Sequence, residues 1–322
     1  MKLSFAVLCA SLLTVLTVAP AVGQAGMADG PHDVVVDSVR LWYSVGGTAR
    51  NGAPPVVFLH GGPGQGSVHF QALAGLAMER RLRMVYLDQR GSGRSERPWN
   101  RAYSMDALVR DLEGVRQALG AEKIALIGHS FGGALALEYA AAHPDHVASV
   151  VLVAPFFDSP LQMRLRCQAT VRAFPAAAAR AVPDSAARAA DESCDWFWKL
   201  PNDERESMNN ALMFPDSAVR IRLDSAQAAS GQRNTGELSN GLFRSGLLQY
   251  RFTATDRLSM PVLIAAGRHD NAVVIDGLRQ LAARLPNARL VEFENSGHFV
   301  YLDETERFAS VVADFITAGG RR

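Results

Sequence analysis

Gly128-His129-Ser130-Phe131-Gly132 sets a serine between two glycines, at the end of an apolar run and the start of a segment with helical character. A hydroxyl in that setting suits nucleophilic attack. A sharp strand-to-helix turn lifts the Oγ clear of the sheet, the glycines remove Cβ atoms that would collide, and the helix N-terminus adds partial positive charge. Such a serine needs a base, and the base needs a carboxylate to orient it. His298 follows the last apolar run, in Asn295-Ser296-Gly297-His298-Phe299, and Asp270 follows the preceding one, in Gly267-Arg268-His269-Asp270. The order Ser130, Asp270, His298 is the chain order of a triad mounted on an α/β sheet. Asp303 competes as the acid, although its place at the head of a helical segment also reads as an N-cap. His32, His143, His146 and His269 fit surface or supporting roles better. A tetrahedral intermediate also needs backbone donors. The turn His60-Gly61-Gly62-Pro63-Gly64 offers the Gly62 N–H, to be paired with that of Phe131 as an oxyanion hole. The predicted chemistry is acyl transfer to Ser130 with His298 moving the proton, completed by water and requiring no metal or organic cofactor. Because the base must be neutral, activity is expected to fall on the acid side.

Short apolar runs at 34–36, 40–45, 56–59, 84–87, 123–127, 150–153, 261–266 and 289–293 predict strands. Between them, helices are expected over 68–81, 104–119, 131–142, 274–285 and 304–317. Ser104 suits the N-cap of the second, which carries Leu108, Leu112, Val115 and Leu119 on one face and ends at Gly120. This alternation predicts an α/β fold with a mostly parallel sheet covered on both faces. Residues 156–256 show helical segments, including Trp196-Phe197-Trp198, and no buried strand. The expected organisation is a core of 26–155 and 257–322 interrupted by a helical insertion at 156–256.

Composition narrows the function. Thirty-three Lys and Arg against 32 Asp and Glu give a formal net charge of +1, which provides no field for nucleic acid. The glycines match neither a dinucleotide fingerprint nor a phosphate loop. With 48% hydrophobic residues the chain can bury a large core, and three cysteines exclude a disulfide scaffold and offer no metal-ligand spacing. Lys2, the uncharged run 3–18 and the small residues around Gly23 and Ala25 read as a leader for export, cleaved after one of those two. An uncleaved anchor is the competing reading, but the run is short of the roughly 20 residues that span a bilayer, so no stable membrane insertion of the mature chain is expected. Cys167 and Cys194 then remain, both inside the insertion, and in an oxidising compartment they can bridge; buried free thiols are the alternative.

Taken with Asp88-Gln89-Arg90-Gly91-Ser92-Gly93-Arg94-Ser95, these motifs resemble the α/β-hydrolase superfamily, and within it the proline iminopeptidase-like serine peptidases, from about Val34 onward. The resemblance implies an exported aminopeptidase acting on short peptides, with the insertion as a helical cap over the site. It also implies that cap carboxylates bind the substrate's free amine; Glu192, Glu204, Glu206 and Glu237 are available, and no motif chooses among them. Trp196 and Trp198 suit either the pocket wall or packing between cap and core. One departure matters: proline-specific members typically carry Gly-Gly-Ser-Trp-Gly around the nucleophile, whereas Gly128-His129-Ser130-Phe131-Gly132 is a form shared with esterases. A carboxylesterase or small-amide hydrolase with the same triad, acting on a small acyl substrate, is therefore the alternative.

Overall fold

The structure is a computed structural model that describes residues 26–48, 52–191, 193–232 and 235–319. The segment read as a leader and Glu192 lie outside the described residues. Eight strands form one sheet: β1 (Gly30–Val36), β2 (Val39–Gly47), β3 (Val56–Leu59), β4 (Arg83–Leu87), β5 (Ile124–His129), β6 (Val147–Val153), β7 (Val262–Gly267) and β8 (Ala288–Phe293). Their order is β1-β2-β4-β3-β5-β6-β7-β8. β1 and β2 pair antiparallel, as do β2 and β4, and every pairing from β4 to β8 is parallel. The central strands β3, β5 and β7 are buried at every residue, which is why they read as unbroken apolar runs. β1 alternates between half-buried and exposed positions, as an edge strand with one wet face does.

Helices cover both faces: α1 (Val68–Leu73), α2 (Gly75–Glu79), α3 (Met105–Ala118) and α4 (Phe131–Ala142) in the first half of the chain. Ser104 caps α3 by accepting from the Ala107 N–H at 3.2 Å. The single helix expected over 68–81 is two. It breaks at Ala74, whose φ of −118° is more extended than that of a regular helical residue, and Gly75 lets α2 settle where a Cβ would stand 3.1 Å from the Tyr86 hydroxyl. After β7 come α12 (Ile275–Arg284), the one-turn α13 (Val300–Asp303) and α14 (Thr305–Thr317).

Between β6 and β7 the described chain is helical: α5 (Ser159–Ala173), α6 (Pro175–Ala181), α7 (Ser185–Ala190), α8 (Asp195–Trp198), α9 (Asn202–Met213), α10 (Ser217–Ala229) and α11 (Glu237–Arg244). An isolated antiparallel bridge, Asp158 to Arg251, closes the base of this insertion. Part of it has a separate small core in which Trp196, Phe197, Ala178 and Met208 pack around Cys167 and Cys194. The two cysteines are joined by a disulfide across a sequence separation of 27. In the chain-entropy account, closing a loop of that length stabilises the native state by about 3–4 kcal/mol. Cys167→Ser/Cys194→Ser is therefore expected to lower the thermal midpoint by several degrees, read by circular dichroism; an unchanged midpoint would contradict a stabilising bridge. Among the described residues, no helix is long and apolar enough to cross a membrane.

Candidate active site

Ser130 stands at the β5–α4 junction in a backbone conformation that side chains rarely adopt, with φ 52° and ψ −118°. Tight packing holds it there. The Ser130 N–H donates to the Val153 carbonyl at 2.9 Å, and the Ser130 carbonyl accepts from the N–H groups of Gly133 and Phe156 at 2.9 and 2.8 Å. A glycine is required at position 132, where a Cβ would fall 2.1 Å from the Leu59 carbonyl oxygen. That contact lets α4 start directly over the end of β3 and puts its N-terminal dipole beneath the serine.

His298 follows β8, and its backbone N–H donates to the Met213 carbonyl at 2.9 Å. Its ring Nδ1 lies 2.8 Å from Asp270 Oδ2. The other carboxylate oxygen of Asp270 accepts from the Ala272 and Val273 N–H groups, both at 2.8 Å. One oxygen anchors the carboxylate to the backbone and the other fixes the imidazole with Nδ1 protonated, leaving Nε2 as the basic nitrogen. Both side chains are buried. Asp303 does neither thing expected of it. It closes α13 instead of capping α14, and its Oδ2 accepts from the Gly297 N–H at 2.8 Å, steadying the loop that carries His298.

Ser130 and His298 line one cavity of about 750 Å³ together with Gly62, Arg166, Asn209 and Asp224. A second cavity of about 930 Å³ shares Gly62, Ser130, Met163 and Arg166 with the first and is otherwise largely apolar, walled by Phe131, Pro160, Trp198, Phe243, Leu247 and Leu248. The serine thus sits where a more polar and a more apolar compartment meet, and the helical insertion supplies much of both walls. Among the described residues, neither the Gly62 nor the Phe131 N–H donates a hydrogen bond, so both remain available to a bound oxygen.

The Asp88–Ser95 segment forms the floor. Asp88 Oδ1 accepts from the Ser67 N–H and hydroxyl, both at 2.7 Å, and Oδ2 from the Arg94 N–H and Nε, at 2.9 and 2.7 Å. Its carboxyl is held below the usual range by Arg94, against the effect of burial. Gln89 ties the floor to the glycine turn, donating from Nε2 to the His60 carbonyl at 2.8 Å and from its N–H to His60 Nε2 at 3.1 Å. Arg90 forms a bidentate pair with Asp111 of α3 at 2.6 and 2.6 Å. The site's backbone donors therefore rest on largely buried polar contacts.

Behind the site, His129 contacts the His298 carbonyl through Nε2 at 3.1 Å, and His69 Nε2 lies 2.9 Å from the Tyr301 hydroxyl. Burial pushes the pKa of His69 down to about 3, that of His60 down, and that of His129 well below the ordinary imidazole value. The unfolded rings take up protons near pH 6.5 while the folded rings do not. The stability these neutral rings confer is complete above pH 6.5 and is lost as pH falls toward their folded values. Asp303, pushed up to about 6 by burial, and Asp111, raised by burial, offset part of the loss. A net uptake of at least one proton on unfolding, about 1.4 kcal/mol per pH unit, is expected between pH 6 and 4.5. Denaturant titrations across that range test it. His69→Gln should reduce the slope by one proton, and a flat profile would contradict it.

Of the carboxylates considered for an amine, Glu204 pairs with Arg180, Glu206 lies 3.7 Å from Arg220, and Glu237 meets Arg97 and Tyr103. None of the three lines either cavity at Ser130. Trp198 lines the apolar cavity, while Trp196 packs in the small core beside the disulfide. No motif marks Arg166, Asn209 or Met163 in the sequence, because only the placement of α5 and α9 brings them to the cavity at Ser130. His143 and His146 are half-buried beside Glu113, at the C-terminal end of α4, opposite the end that carries Ser130, and His269 is exposed.

Residues 54–305 match the family model described as the alpha/beta hydrolase fold. A proline iminopeptidase of Heyndrickxia coagulans is 26% identical over 293 residues, covering 84% of this chain and 92% of that one. Among solved structures, a proline iminopeptidase-related protein from Thermus thermophilus superposes with a TM-score of 0.72 at 24% identity, covering 91% of this chain and 98% of its own. An esterase from Exiguobacterium antarcticum gives 0.63 at 19%, covering 90% and 99%. The chain belongs to the α/β-hydrolase family and, within it, is similar to the proline iminopeptidases.

Proposed function

We propose that this protein is a serine hydrolase that cleaves an ester or amide bond through an acyl-enzyme. Ser130 attacks the carbonyl, His298 accepts its proton and returns it to the leaving group, and Asp270 holds the imidazole in the productive tautomer. The Gly62 and Phe131 N–H groups stabilise the tetrahedral oxyanion, each contributing about 3 kcal/mol. Water then enters, with His298 again as base, and frees the acid and Ser130. The observation that carries this reading is the 2.8 Å contact between His298 and Asp270 on the wall of the cavity that Ser130 lines.

Two substrate readings remain, and in both the insertion acts as a cap that sorts substrates. Similarity to proline iminopeptidases supports an aminopeptidase acting on short peptides. The Gly128–Gly132 sequence and the large apolar compartment support a small-acyl esterase or amidase. Aminoacyl arylamides, with and without proline, assayed beside short-chain aryl esters decide between them. A rate advantage for substrates with a free N-terminal amine supports the peptidase, and a preference for amine-free esters supports the esterase. The leader reading makes the mature enzyme an exported one, tested by N-terminal sequencing of protein recovered outside the cytoplasm.

A further inference from the structure

A guanidinium stands at the junction of the two compartments. Arg166, on α5, lines both cavities with Ser130 and is half-buried. Two other arginines on the insertion's helices are held by acids: Arg180 by Glu204, and Arg220, which lines the first cavity, by Asp224 at 2.7 Å, with Glu206 at 3.7 Å. Among the described residues Arg166 forms no ion pair. Its side chain donates to Asn209 Oδ1 and lies 5.9 Å from the rings of Phe197 and Trp198.

Two of the three neighbouring acids are committed elsewhere, and the third lies in solvent. Asp224 is held by Arg220, Asp195 is exposed at the rim, and both oxygens of Asp270 serve His298, Ala272 and Val273. Burial lowers the Arg166 pKa, against the pull of Asp270, yet a guanidinium stays charged under any condition the fold survives. A partly desolvated cation with no anion paired to it is costly to the free protein, and a carboxylate delivered by a ligand removes that cost with a bidentate, charge-assisted pair.

We propose that Arg166 is the specificity-determining residue of the site and binds a substrate carboxylate, so that the preferred substrates are esters or amides carrying a carboxylate a few bonds from the scissile carbonyl. This rests on the hydrolase reading above and names its substrate class. It also inverts the charge expected for recognition of a free amine, because the fixed charge at the junction is positive.

Three para-nitrophenyl esters of similar length test it: the hydrogen adipate, the hexanoate and the aminohexanoate. The wild type should rank them carboxylate, neutral, ammonium, with kcat/KM for the first about 10- to 100-fold above the second, the range of a buried charge-assisted hydrogen bond. Arg166→Gln should bring that ratio to within about twofold of one, and Arg166→Lys should keep part of it. Should Arg166→Gln fail to fold, wild-type inhibition decides: pentanoate should compete with the hexanoate ester at least tenfold more tightly than pentylammonium. A neutral or ammonium preference in the wild type, a ratio that survives Arg166→Gln, or equal inhibition by the two ions would overturn the assignment. Labelling of Ser130 by a fluorophosphonate, run alongside, separates the two levels. A labelled enzyme with the wrong ranking rejects only the carboxylate role, whereas an unlabelled one rejects the hydrolase reading and this inference with it.

Discussion

Asp270→Asn is expected to lower kcat about 10⁴-fold while leaving the thermal midpoint nearly unchanged. The geometry gives the reason. The Asp270 carboxylate receives two backbone N–H groups on Oδ1 and presents Oδ2 to His298 Nδ1 at 2.8 Å. An asparagine keeps its carbonyl oxygen on Ala272 and Val273, because only an acceptor satisfies two donors, and must then turn its NH₂ toward Nδ1. The imidazole answers by carrying its proton on Nε2, the nitrogen that should accept from Ser130, and the general base is lost without loss of packing. A steady-state assay with a matched melting curve reads both halves. A reduction of less than about tenfold in kcat would remove Asp270 from the triad. Asp303→Asn should cost far less activity, since Asp303 touches the backbone of the His298 loop and not the ring.

The second large effect is on stability. Arg90 and Asp111 are both about 98% buried and joined by two contacts of 2.6 Å, and Arg90 also donates to the Ala102 carbonyl at 3.1 Å. Removing one partner of such a pair leaves a charge with no solvent and no counter-ion, which costs about 3–5 kcal/mol. Asp111→Leu should therefore lower the unfolding free energy by about that amount, a large share of the roughly 5–15 kcal/mol available to a protein domain. Arg90→Met/Asp111→Leu should recover much of the loss, because a well-packed apolar pair tolerates the same cavity. Denaturant titrations of the two single variants and the double variant provide the cycle; additive losses would show that the residues do not act as a pair.

The contrast between these two sites bears on what a sequence discloses. The elements around Ser130 are legible because local rules and the tertiary fold agree there. β3 and helix 131–142 match their expected spans, and the cap bond of Ser104 forms where its sequence places it. Chain order alone brings Asp270 and His298 to adjacent loops, because a parallel sheet puts the ends of consecutive strands side by side. The misses have physical causes. Helix 68–81 breaks at Ala74, where Gly75 comes up against the Tyr86 hydroxyl of the following strand, and Asp303 leaves the N-cap for a backbone N–H in a neighbouring loop. The insertion's contribution was the least legible. Its longer helices α5, α9 and α10 lack a strong apolar stripe, and which of their polar side chains face Ser130 depends on how the insertion's helices pack. Three of the four glutamates considered for the substrate prove to be absent from the cavities at Ser130, whereas Arg166, which no motif marks, lies in both.

The central claim is that Ser130 is the nucleophile of a working acyl-transfer site, and one measurement tests it directly. The folded protein is incubated with a fluorophosphonate, digested and mapped by mass spectrometry, with Ser130→Ala treated in parallel. The account predicts one stoichiometric adduct on the peptide containing Ser130, formed in the wild type and absent from Ser130→Ala. An unmodified Ser130, or an adduct that persists in Ser130→Ala, would contradict it.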